Sequence, residues 1–104
     1  MSRISRKNYL SSFLHIMVQG INREYIFQKD YFKNLYINLT KEKFNENNIY
    51  LLAFAIMENH AHLLIRYEKI EDVSNCMHEI NQTFAQMYNK VENRVGYVFR
   101  DRYK

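Results

Sequence analysis

The stretch Met57-Glu58-Asn59-His60-Ala61-His62-Leu63-Leu64-Ile65 sets two histidines one residue apart inside an apolar segment. In an extended strand alternate side chains share a face, so His60 and His62 project one way while Ala61, Leu63 and Ile65 project the other. Two neighbouring imidazoles supply half of a metal site, since neutral imidazole is a common ligand for divalent ions. The same spacing also suits a half-exposed strand whose histidines are satisfied locally. Metal binding therefore needs support from the rest of the chain.

Other residues could add to such a site. His15 lies in an early apolar segment, placed either to contact a substrate or to fill space near a sheet edge, whereas His78 falls on the solvated side of a helical pattern. Tyr88, Tyr97 and Tyr103 are late hydroxyls, and Arg23, Arg66, Arg100 and Arg102, with Lys104, are candidate phosphate contacts. Tyr97, Phe99 and Tyr103 could stack on unpaired bases. A solvated charged surface accounts for the same arginines. Tyr88 follows Phe84 by four residues, beside an apolar helical stripe, where packing is its default role.

The elements that must position these residues are legible from periodicity. Residues 12–19 alternate, with Leu14, Ile16 and Val18 on one face and Phe13, His15, Met17 and Gln19 on the other, and Gly20 ends the strand. Asp30 is suited to cap a helix running to about Phe44, with Phe32, Leu35, Tyr36 and Leu39 at helical spacing. Residues 49–57 are almost continuously apolar, the pattern of a central strand buried on both faces. Glu58 and Asn59 form a tight connection into a strand over 60–67, giving a hairpin with the two histidines at its mouth. From Asp72 to about Asn93, Val73, Met77, Ile80, Phe84, Met87 and Val91 mark one long amphipathic helix, stopped by Gly96. Residues 97–104 could start a fourth strand. Strand, helix, strand, strand, helix and an incipient strand make the split β-α-β pattern of a ferredoxin-like α+β domain, an antiparallel sheet with two helices on one face. The other face would carry His15, His60 and His62.

Bulk properties bound the function. A chain of 104 residues is one domain with one two-layer core. Its 15 Lys and Arg against 11 Asp and Glu leave a modest positive field that favours a polyanionic partner. A single cysteine, Cys76, excludes an internal disulfide and fits an apolar filler in a reducing cytoplasm. No apolar run reaches the roughly 18 residues of a membrane span, and the basic start lacks the apolar core of a signal peptide.

Three segments together resemble the single-tyrosine HUH transposases, the IS200-like and REP-associated tyrosine transposases. H-I-M-V-Q-G-I-N-R-E-Y-I-F at 15–27 is similar to that family's opening strand and turn, A-F-A-I-M-E-N-H-A-H-L-L-I at 53–65 to its central strand pair, and G-Y-V-F-R-D-R-Y at 96–103 to the motif after its long helix. The family usually has proline where Glu58 stands. The resemblance implies a divalent ion, Mn or Mg, held by His60 and His62. With two imidazoles in view Mn is the better fit, because Mg prefers oxygen donors. It also implies a tyrosine hydroxyl that attacks a phosphodiester in single-stranded hairpin DNA, forming a 5′-phosphotyrosine link and freeing a 3′-hydroxyl, so that the strand is nicked and rejoined without ATP. In the family that tyrosine and a third metal ligand stand on a further C-terminal helix, which would lie beyond residue 104. Within the chain Tyr88 is the remaining, poorly matching candidate. Family members pair through their sheets in the insertion-sequence branch, so a homodimer is one possibility.

Two rival readings keep the fold and change the activity. One is a non-catalytic fragment that grips a DNA hairpin; the other is a small RNA-binding or assembly domain whose histidines are structural.

Overall fold

The structure, a computed structural model, describes residues 12–100. Strand β1 (Ser12–Gln19) leads through a 3-10 turn (Ile21–Arg23) to helix α1 (Asp30–Glu46), the hairpin β2 (Tyr50–Ile56) and β3 (His60–Tyr67), and helix α2 (Ile70–Glu92). The three strands form one antiparallel sheet in the order β1-β3-β2, an α+β fold. Leu14, Ile16 and Val18 of β1 and Ala61, Leu63 and Ile65 of β3 belong to or pack on the core, as their alternation requires. Burying one such large aliphatic side chain contributes about 1.5–3 kcal/mol.

The strand over 49–57 is not the central one. β3 takes the middle of the sheet and β2 an edge, with Leu52, Ala53, Phe54 and Ala55 exposed. A continuous apolar run reads as two-sided burial only when strict alternation is assumed, and here the alternation breaks. The pairing register jumps between Leu51 and Ala53, so Leu51 faces the helices opposite Ile65, and after the bulge Phe54 and Ile56 do so opposite Leu63 and Ala61. Ala53 and Ala55 consequently share the open face with Leu64 and His62. The bulge lets Leu51 and Ile56, of opposite phase, both pack on the core.

The helices pack through aromatic rings. Phe84 of α2 lies 5.3 Å from Phe27, 5.4 Å from Tyr36 and 5.7 Å from Phe99, centroid to centroid, and Tyr88 lies 4.8 Å from Phe32. The buried Tyr36 hydroxyl donates to Asn81 Oδ1 at 2.8 Å, which satisfies the phenol and ties α1 to α2. Burial holds the Tyr36 phenol far above its ordinary pKa, so it stays a neutral donor. The apolar stripe of α2 ends on Tyr88, not on Met87 and Val91, which remain exposed. Asp30 is the first residue of α1 and not its cap; Lys29 holds the cap position without a capping side-chain hydrogen bond.

Asn93, left-handed at φ 53°, ends α2 ahead of Gly96. Arg94 then clamps the return of the chain: its guanidinium donates to Asn89 Oδ1 at 2.8 Å and to the Tyr97 carbonyl at 2.7 Å, and pairs with Glu24 at 3.0 Å. Val98 is buried, and the Ile21 and Arg100 amides donate to the Val98 and Gln19 carbonyls, each at 2.8 Å. The expected fourth strand amounts, among the described residues, to one isolated bridge between Gly20 and Phe99. At Gly20 any β-carbon would stand 2.5 Å from the Glu24 carbonyl oxygen, so the turn after β1 needs glycine.

Candidate active site

The face of the sheet away from the helices carries the histidines. Gln19 pairs with His60, Met17 with His62 and His15 with Leu64, so His15 stands diagonal to His62 across the β1–β3 ladder. The His15 and His62 rings meet nearly edge to edge, with centroids 5.1 Å apart and planes at 21°, and His15 Nε2 lies 3.0 Å from His62 Nδ1. His60 meets His62 edge to face at 4.9 Å, and His60 Nδ1 donates to Asn59 Oδ1 at 2.7 Å. Three imidazoles thus form one cluster, His60 and His62 half-buried and His15 exposed. Partial burial, reinforced by the neighbouring His60 and His15, lowers the His62 pKa, so at neutral pH this ring is uncharged, the form that binds metal.

The donor set fits a divalent ion in part. Both Nδ1 atoms of His60 and His62 are engaged, and no hydrogen bond among the described residues occupies either Nε2, the division of labour that metal-binding histidines adopt. No group of three or more His, Cys, Asp or Glu side chains among the described residues is placed to hold a metal. An ion here would draw two ligands from the described chain and complete its shell elsewhere.

The candidate phosphate contacts divide. Arg66 is on the open face, its guanidinium carbon 4.5 Å from the ring centroid of Tyr50, the residue paired with it across the β2–β3 ladder. Arg100 reaches the histidine end of the sheet, its amide bonded to Gln19 and its Nη1 3.4 Å from Gln19 Oε1. Arg23 is exposed in the turn that follows the same end of β1, left-handed at φ 58°. Arg102 lies outside the described residues. Tyr88 is not brought to the histidines. It is buried in the helix layer, stacked on Phe84, and that burial raises the phenol pKa. Cys76 is buried and His78 exposed on α2.

Sequence reasoning missed two contributors. Gln19 positions Arg100, and Tyr50 carries Arg66, and both depend on register. The pairing of Tyr50 with Arg66 follows the bulge at Leu52, which no period-2 reading contains. A cleft of about 840 Å³ lies between α2 and residues 96–100, bordered by Asn81, Gln82, Gln86, Tyr97 and Arg100 and lying on the helix side, not over the imidazoles. No helix among the described residues is long and apolar enough to cross a membrane.

Among solved structures, a protein of Deinococcus radiodurans R1 assigned as a transposase superposes with a TM-score of 0.68 over 90% of this chain and 76% of its own, at 14% identity, a likeness of fold. No curated protein sequence matches significantly. Residues 8–104 match the family model for IS200-like transposases, which spans all three motifs and both histidines. The chain belongs to the IS200-like transposase family.

Proposed function

We propose that the chain is the core of a metal-dependent enzyme that nicks and rejoins single-stranded hairpin DNA through a tyrosine–phosphate link. The observation that carries this reading is the pair His60 and His62 on one accessible sheet face, both Nδ1 atoms engaged and neither Nε2 bonded to another described residue. A bound Mn or Mg ion would supply Lewis acidity, offsetting negative charge on the scissile phosphate as it is attacked. His60 and His62 would hold that ion; Arg66 on the open face and Arg100 at the histidine end of the sheet bind flanking phosphates and keep the strand in register. The Tyr50 ring, already under Arg66, offers an apolar wall for a sugar or base. A tyrosine hydroxyl forms the new phosphorus–oxygen bond as the bond to the 3′-oxygen breaks, the departing strand keeping a 3′-hydroxyl that can later reverse the step. Tyr88 is ill suited to that role, since it would have to leave its packing against Phe32 and Phe84.

A hairpin-binding module without cleavage is favoured by two features of the described residues, the missing third ligand and the burial of Tyr88. Incubation with an end-labelled DNA hairpin and Mn²⁺, followed by denaturing electrophoresis, separates the readings. A covalent protein–DNA band that survives Tyr88→Phe supports the enzyme; retarded native mobility with no covalent band supports the binding module.

A further inference from the structure

We infer that His15 is the positioning residue that holds His62 in the tautomer able to bind a divalent ion; the inference rests on the metal role proposed for His60 and His62. A neutral imidazole carries one N–H, and when that hydrogen sits on Nε2 the nitrogen has no lone pair for an ion. An acceptor at Nδ1 draws the hydrogen to the other side of the ring. For His60 the acceptor is the Asn59 amide oxygen at 2.7 Å. No described residue offers His62 such an oxygen. Among the described residues, the atom at its Nδ1 is His15 Nε2, at 3.0 Å, delivered from the neighbouring strand.

That single hydrogen can be shared in two ways. If His15 donates, His62 must carry its own hydrogen on Nε2, and the nitrogen facing the ion is closed. If His62 donates, its Nε2 lone pair is open, matching His60, and His15 keeps its hydrogen on Nδ1. Only the second arrangement gives both rings of the His60–His62 pair an available donor. The backbone fixes the contact on which this arrangement depends: β1 and β3 are paired from Ser12 to Gln19 without interruption, and the two ring planes meet at 21°. The acceptor is therefore held by a sheet ladder and not by a mobile loop.

The test compares His15→Phe, which keeps the ring and removes the acceptor, with His15→Gln, which restores an acceptor oxygen. Long-range ¹⁵N–¹H spectra of the metal-free protein should show His62 with its hydrogen on Nδ1 in the native chain, moved wholly or partly to Nε2 in His15→Phe, and returned in His15→Gln. Calorimetric titration with Mn²⁺ should show affinity weakened about 10–100-fold in His15→Phe and largely regained in His15→Gln. An unchanged His62 tautomer in His15→Phe, or an unchanged Mn²⁺ affinity, overturns the inference. Should the tautomer respond as stated while the native chain takes up no Mn²⁺ at these histidines, the metal reading fails and the hydrogen-bond assignment stands.

Discussion

Cys76 shows what a residue of the helix layer can and cannot do. Its thiol is buried, its Sγ 3.6 Å from the Lys43 carbonyl, and burial together with nearby Glu79 and Asp72 pushes its pKa up to about 11 from an ordinary 9.0. The folded chain thus keeps a proton that the unfolded chain releases, so between about pH 9 and 11 stability falls as pH rises, by at most about 1.4 kcal/mol per pH unit from this group. Below pH 9 the contribution is fully present. Denaturant midpoints of the native chain and Cys76→Ala from pH 8 to 11 should converge as pH rises; parallel curves would contradict the assignment. Lys43, ion-paired with Glu79 at 3.3 Å, has its pKa raised by that pair, but its exposure leaves the ammonium screened.

At the scale of elements, β3 holds the molecule's two purposes on opposite faces. Leu63 is fully buried against the helices, and the next residue, Leu64, is 40% exposed beside the histidines. Leu63→Ala should cost about 2–5 kcal/mol in urea denaturation and Leu64→Ala under about 1 kcal/mol. Equal losses would mean that the open face is packed in solution. This alternation was legible beforehand: His60 and His62 against Ala61, Leu63 and Ile65 defined both faces, and Leu14, Ile16 and Val18 did so for β1. What escaped was strand order and phase in β2, because a bulge at Leu52 exchanges faces without leaving any mark in a run of apolar residues. Arg94 escaped too. Its clamp on Asn89, Tyr97 and Glu24 joins three segments that only the tertiary fold brings together.

For the whole molecule, whose formal charge is +4, Arg23 and Arg100 flank the histidine end of the sheet and Arg66 the other. If these three make phosphate contacts, affinity for single-stranded DNA should fall with salt at a log–log slope near roughly −2. A flat response from low to physiological salt would exclude this face as the docking surface, and Arg66→Ala should reduce the slope by about 0.7. The bifacial plan also explains why the fold and family could be read from sequence while the chemistry was legible only in part: the two proposed ligands lie in one motif, whereas no described His, Cys, Asp or Glu cluster completes a metal site and Tyr88 is buried.

The central claim is that His60 and His62 jointly hold an ion on the open face, and paramagnetic mapping tests it most directly. Substoichiometric Mn²⁺ added to ¹⁵N-labelled protein should bleach amide signals centred on residues 60–62 and their β1 partners 17–19. The same additions to a His60→Ala, His62→Ala double variant should leave those signals intact. Bleaching centred elsewhere, such as on the acidic start of α2 at Glu71 and Asp72, or equal bleaching in both proteins, would contradict the account.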